Sequence, residues 1–250
     1  MSHKRVFKII NNGEIAIQLY NPQTDIEGVL HVLREGYMKD ANTFVAFEMN
    51  TPEAAQARQE YEGLIHAVLH DGLSLIARHL PSMEIIAYCL NKIQSRPAPG
   101  QRTFYETFRD GCQTQIVKKL LNFRISKDKQ YDLHNMFDTD HVFEIVYIAT
   151  LPQYRIKNIG FHLVHCTMMI AREIVAAGHY PDTAAEEVKG KIPKIIFGSS
   201  SSKYSAKIGE KLNFSVVKIF PFKELKVDGR SFSEKVPPQH THSTINVFKL

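Results

Sequence analysis

With 250 residues, 44% of them apolar, and a net charge of +5, the chain is long enough for one sizeable α/β domain or at most two small ones. Its Lys and Arg are scattered, without an arginine-rich arm or a basic helix stripe, which argues against a nucleic-acid partner. No apolar run approaches the ~18 residues of a membrane span. The start, Met-Ser-His-Lys-Arg-Val-Phe, lacks the apolar stretch of a secretory signal. Cys89, Cys112 and Cys166 are odd in number and widely spaced, which suits a reducing compartment better than a disulfide framework or a zinc site. A cytoplasmic monomer is the expectation.

In chain order, residues 16–20 read as a first strand. Thr24-Asp25 caps a helix with Ile26, Val29, Leu30 and Leu33 inward. A less regular piece spans 36–50. Thr51-Pro52-Glu53 then opens a helix that uses Tyr61, Leu64, Ile65 and Val68 and closes at Asp71-Gly72. Strands are predicted at 73–77 and 84–93, joined around Pro81-Ser82. The Pro-rich 97–100 cluster is a loop, and one polar helix is predicted over 104–123. A buried strand at 142–150 leads into a helix with Ile159, Leu163, Cys166, Ile170 and Ile174 on one stripe. A strand at 193–197, a helix from the Ser-rich turn at Ser199 to about Asn213, and strands at 215–220 and 244–250 complete the chain. With no repeat and no linker, this is a single domain over 1–250: a mixed sheet flanked by helices, with 97–140 as an insertion.

The segment 147–163 carries the most chemistry. A strand, a Pro turn and a short basic loop ending in glycine run into a helix, placing successive backbone N–H groups and a helix N-terminus around one point. That is an anion site. Neither Gly-x-x-x-x-Gly-Lys-Ser/Thr nor Gly-x-Gly-x-x-Gly occurs. What stands there is Arg155-x-x-Asn158-x-Gly160, behind Pro152 and Tyr154. The alternative reading is a helix start with a basic first turn.

This string resembles the acetyl-coenzyme A loop of the GNAT acyltransferase superfamily, with Asn158 in the first glycine slot. Asn tolerates left-handed backbone better than most residues. Residues 195–214 are similar to the superfamily's closing strand and helix, with Asn213 in place of a glycine and Gly209 where many members carry a tyrosine acid. Ser201-Ser202-Lys203-Tyr204-Ser205 resembles the insect-type arylalkylamine N-acetyltransferases, as do Asp71-Gly72-Leu-Ser-Leu-Ile-Ala77, the stretch 220–230 and Pro237-Pro-Gln-His240.

The resemblance implies the GNAT acyl-CoA N-acyltransferase fold, a mostly antiparallel sheet with a splayed central strand pair. It implies acetyl-CoA as cosubstrate and a small primary amine as acceptor, of the dopamine, serotonin or tyramine kind. The strand would splay near Ile148, so that Ile148, Ala149 and Thr150 serve the pantetheine arm and the thioester oxygen. The diphosphate would sit on the amides of Arg155, Ile156, Lys157, Asn158, Ile159, Gly160 and Phe161. Ser201 and Ser205 would bind substrate or protonate the leaving thiolate, with Tyr204 as a rival donor; helix capping is the competing role for the serines. A primary amine titrating near ~10 must lose a proton before attack. The glutamate that would accept it falls at Ala41, leaving Asp40 or Glu48 as substitutes. No metal is expected, since His162 and His165 lack a carboxylate or Cys to complete a set. A polyamine acceptor, or a CoA-binding protein with little transferase activity, are the other expectations.

Overall fold

The computed structural model describes residues 5–155 and 157–250. The described chain opens on a hairpin of β1 (Val6–Ile10) and β2 (Ile15–Leu19), turned through Asn11, Asn12 and Gly13, all at positive φ. The sequence reading began at Ala16 and missed β1, an edge strand whose half-exposed Val6 and Ile9 give no two-faced pattern. Next, α1 (Ile26–Val32) starts at Asp25, whose buried carboxylate accepts from Arg78 at 2.7 Å. It continues as a π-helical turn over Leu33–Tyr37 and as α2 (Met38–Asp40); α3 (Asn42–Ala46) follows across Ala41. The stretch expected to be irregular is therefore mostly helical.

After a 3₁₀ turn at Pro52–Ala54, α4 (Ala55–Leu69) buries Tyr61, Leu64, Ile65 and Val68 as expected. It closes at Gly72, where φ is +71° and an added Cβ would lie 1.8 Å from the Thr183 carbonyl oxygen. No side chain fits there. Strands β3 (Leu75–His79) and β4 (Ile85–Ser95) follow. The single helix expected over 104–123 is instead two, α5 (Phe104–Gly111) and α6 (Gln115–Asp128). The break is held by a distant residue: Glu60 of α4 accepts from the amides of Gln113 and Thr114 and from the Thr114 hydroxyl.

The short α7 (Leu133–Met136) leads to β5 (His141–Thr150), and α8 (Ile159–Ala177) and β6 (Ile195–Ser200) follow. Then come α9 (Lys203–Lys211), β7 (Ser215–Pro221), the small hairpin of β8 (Lys226–Val227) and β9 (Arg230–Ser231), α10 (Phe232–Lys235) and β10 (His242–Lys249). Eight strands form one sheet in the order β1-β2-β3-β4-β5-β6-β10-β7. Every neighbouring pair is antiparallel except β5–β6.

Helix α8 covers one face of the sheet. Its stripe of Ile159, Leu163, Cys166, Ile170 and Ile174 is buried throughout, each such side chain contributing roughly 1.5–3 kcal/mol. Among the described residues it is also the one helix long and apolar enough to cross a membrane, but half of it is buried inside the fold and Arg172-Glu173 interrupts its apolar run. Thr167 of α8 meets Cys89 and Asn91 of β4. On the opposite face lie α1, α4, α5 and α6, reached by the alternate residues Tyr88 and Leu90 of β4.

Candidate active site

The parallel pair at the centre of the sheet is joined over three residues only: Phe143 opposite Ile196, Glu144 opposite Phe197, and Ile145 opposite Gly198. Beyond that point β5 stays with β4 out to Thr150, while β6 stays with β10 at Ser199 and Ser200. The sheet forks. The opening starts directly after Ile145, three residues earlier than the divergence expected near Ile148. In the fork, β5 offers main-chain groups of residues 146–150 that no β6 partner takes.

A bulge sits at the crotch. Asn91 faces Ile145 and Leu90 faces Tyr147, so Val146 is the extra residue. Without it, Glu144 and Tyr147 would point to opposite sides of the sheet. With it, both face α4, α5 and α6, and the Tyr147 hydroxyl bonds that of Tyr61 at 2.6 Å. Ile148 points the other way, toward the start of α8.

Two helices begin at the mouth of the fork. At α9, the Ser202 hydroxyl accepts from the Ser205 amide at 3.2 Å, and the Ser205 hydroxyl lies 3.0 Å from Ser202 Oγ. Ser205 is therefore committed to a capping box with Ser202. At α8 the cap residue is Asn158, left-handed at φ 55° and without a side-chain cap. The first intrahelical donor is the His162 amide, to the Asn158 carbonyl. The amides of Asn158, Ile159, Gly160 and Phe161 thus have no acceptor in the helix, and they carry the positive end of a 19-residue dipole. Gly160 lets α8 close on its neighbours: an added Cβ would stand 2.9 Å from Ile208 of α9 and 3.4 Å from Ile148. The cradle fits a diphosphate.

The remaining predicted residues fall as follows. The Arg155 amide is used in a turn bond to the Pro152 carbonyl. Its guanidinium turns back to the Thr150 carbonyl at 3.1 Å, the Gly36 carbonyl at 3.1 Å and the Asp40 carboxylate at 2.5 Å. Asp40 is thereby the partner of the loop's own arginine. Glu48 is exposed, at φ 57°, and paired with Lys235 at 2.9 Å. Tyr204 is 64% exposed and edge-on to His240. Ala149 is buried in β5, and the Lys157 ammonium lies over the Tyr154 ring at 5.5 Å. Ile156 lies outside the described residues. The Ser201 carbonyl accepts from the buried Asn42 side chain at 2.5 Å, which ties the turn beside Ala41 across the fork to the end of β6.

Sequence reasoning missed the buried polar row on the α5–α6 face. Glu144, 1% exposed, accepts from Tyr105 at 2.9 Å, from Gln94 at 2.7 Å and from Arg124. Arg124 also holds Asp128 at 3.0 Å, and these anions keep its guanidinium charged against the burial that opposes it. The signal was a lone carboxylate in the apolar run Val142-Phe-Glu-Ile-Val-Tyr147. Burial raises the Tyr147 hydroxyl to about 12 and pushes those of Tyr61 and Tyr88 well up, so all three are donors near neutrality. Aromatic rings line the same face: Phe47 on Phe123 (5.4 Å), Phe123 stacked on Phe232 (5.6 Å), and Tyr37 edge-on to Tyr147 (5.3 Å). A broad depression of about 760 Å³ bordered by Arg5, Glu173, His179 and Lys189 opens at the far end of α8. It lies about 27 Å from the uncapped amides at the helix rise per residue and takes no part in the fork.

No protein-family model and no curated protein matches the sequence. Solved structures do. The arylalkylamine N-acetyltransferase 2 of Aedes aegypti superposes with a TM-score of 0.74 at 17% identity, over 96% of this chain and 99% of that one. The fold is that of the GNAT N-acetyltransferases. The polyamine N-acetyltransferase of Drosophila melanogaster, which forms N-acetylagmatine, gives a TM-score of 0.72 at 16% identity over 95% and 100%. The C-terminal condensation domain of Ebony, solved with beta-alanyl-dopamine, gives 0.62 at 13% over 95% and 99%. In this GNAT-fold chain the fork and the uncapped first turn of α8 lie side by side at the centre of the sheet.

Proposed function

We propose that this chain transfers the acetyl group of acetyl-CoA to the primary amine of a small arylalkylamine by direct attack in a ternary complex. The observation that carries the reading is the fork after Ile145 opening beside the uncapped first turn of α8. The free amides and the dipole of that turn take the diphosphate. The pantetheine arm lies along residues 146–150 of β5, whose unspent N–H groups are the donors for the thioester oxygen as it becomes an oxyanion. The acceptor approaches from the α4–α6 face.

Two observations favour an aromatic acceptor over a polyamine; the similar structures favour neither, since arylalkylamine and polyamine acetyltransferases resemble this chain alike. Aromatic rings line the acceptor face. The carboxylates that would receive a polyamine's distal cation are already engaged: Asp40 by Arg155, Glu48 by Lys235, and Asp128 and Glu144 by Arg124. The second reading, a coenzyme A-binding protein with little turnover, draws on Ala41 and Gly209 at the expected acid–base positions and on the capped Ser205.

Thiol release from acetyl-CoA with tyramine, dopamine, serotonin, spermidine and agmatine separates these readings. Turnover confined to the aromatic amines supports the first. Calorimetric binding of acetyl-CoA without turnover on any amine supports the second, and no binding removes both. Within the loop, Asn158→Gly is expected to keep acetyl-CoA affinity. Asn158→Val must force a β-branched residue into left-handed backbone at roughly 1–2 kcal/mol, and should weaken binding about tenfold.

A further inference from the structure

The last turn of α6 straddles the fork on the acceptor face. Arg124 reaches β5 through Glu144, and three residues on, Lys127 reaches β10, donating to the Ser243 hydroxyl at 2.7 Å. Ser243 stands one residue beyond the Thr244–Ser200 pair, and so alongside Ser201, the residue that Asn42 holds. Lys127 and Ser243 are both buried. The rings of Phe220 and Phe123 lie 4.8 Å and 5.8 Å from the ammonium, and Phe123 continues the aromatic wall through Phe47 back to α3.

What is missing around Lys127 is a counter-ion. Asp128, next in the chain, is bonded to Arg124 and to Tyr131. Among the described residues no carboxylate is ion-paired with Lys127. A packed aromatic site has no need of an amine, and a methionine would fill the same volume. The charged groups that act on it are Arg124 and Asp128 from α6; Tyr131 just beyond is bonded to Asp128, and the Lys218 ammonium of β7 lies 5.7 Å from the same Phe220 ring. Burial first, and Arg124 second, push its pKa down to about 8, with Asp128 opposing. Near neutrality a fraction of the molecules hold a neutral Nζ with a lone pair facing the Ser243 hydroxyl.

We propose that Lys127, acting through the Ser243 hydroxyl, is the proton acceptor for the incoming amine, the part the resemblance gave to a carboxylate at the position of Ala41. This rests on the acyl-transfer reading above. The acceptor arrives as an ammonium. Ser243 Oγ takes one of its protons while passing its own hydroxyl proton to neutral Nζ. The freed nitrogen lone pair bonds to the thioester carbonyl carbon, and the C–S bond breaks toward sulfur. The second proton of that nitrogen ends on the thiolate, and the proton on Nζ returns to solvent. An acceptor with a pKa near the working pH is better matched to an amine near ~10 than an ordinary carboxylate would be.

The test is the pH dependence of kcat, by thiol release with saturating tyramine and acetyl-CoA, on the full chain. Wild type should climb to a plateau above about pH 8. Lys127→Met should lose about 100-fold or more at neutral pH together with that limb, while its calorimetric affinity for acetyl-CoA stays unchanged. Lys127→Arg keeps a cation in place but cannot give up its proton, and should be equally slow; a purely structural or electrostatic role would let it turn over. Wild-type kcat with an intact limb in Lys127→Met overturns the proposal and leaves acyl transfer standing. A wild-type protein that binds acetyl-CoA but acetylates no amine overturns the transfer reading, and this proposal with it.

Discussion

Replacing Arg124 with Met should lower the unfolding free energy by about 3–5 kcal/mol, the cost of stranding a buried charge. Glu144 is the charge left behind. It lies in the centre of the sheet, 1% exposed, one residue before the point where β5 and β6 part. Tyr105 and Gln94 would still donate to it, but neutral donors do not offset a buried carboxylate as a guanidinium does. The same substitution leaves Asp128 with the Tyr131 hydroxyl but without the arginine, and removes the guanidinium lying 4.3 Å over the Tyr105 ring. Urea unfolding followed by circular dichroism should show an earlier midpoint with an unchanged slope. Adding Glu144→Gln should recover most of the loss, because an amide keeps both neutral partners and carries no charge. A single variant within about 1 kcal/mol of wild type would show that water or a rearranged side chain replaces the arginine, and that α6 is not anchored to the fork through this pair.

The parts of the fold legible in sequence are those decided within a few residues of chain. The α8 stripe, the Pro52 start of α4 and the Gly72 closure each follow from local periodicity or backbone freedom, and each stands where it was read. So does Asn158 at φ 55°, since the left-handed cap is set by the loop itself. What was not legible depends on partners far along the chain. The break between α5 and α6 is held by Glu60, some fifty residues upstream, while the local signals for it, Gly111 and the N-cap Thr114, are weak taken alone. That misreading ended the helix at Phe123 and so passed over Arg124 and Lys127, the residues of α6 that reach across the fork.

The loop arginine shows the same limit. Its type and position suit a diphosphate, but nothing local reveals that Asp40 and the Gly36 carbonyl have claimed its guanidinium. The serines were legible as either cap or catalyst, and the choice needed the Ser202–Ser205 geometry. Glu144 was passed over although it carried a signal, being the one acid in an apolar strand, and the bulge at Val146 explains why it shares a face with Tyr147.

The second large effect has the opposite sign. Lys127→Met is expected to stabilise the protein at neutral pH, by up to about 3 kcal/mol. The folded-state pKa of about 8 lies below the ordinary value of 10.5, so burial penalises the charged form. Below pH 8 the lysine is protonated in both folded and unfolded chains, and the penalty is present in full. As pH rises from 8 toward 10.5 the folded protein has shed the proton while the unfolded chain still binds it, so wild-type stability climbs. Above that range both forms are neutral, and the penalty is gone. Melting temperatures of wild type and Lys127→Met should therefore differ most at pH 7 and converge by about pH 10.5. A lysine kept at such a cost, in a pocket that an apolar side chain would fill better, is what a proton acceptor requires. If the two proteins melt together at every pH, Lys127 is solvated or paired in solution and the argument for its role loses its energetic half. If the methionine variant is more stable and still turns over as wild type does, the lysine is an unused strain rather than a working group.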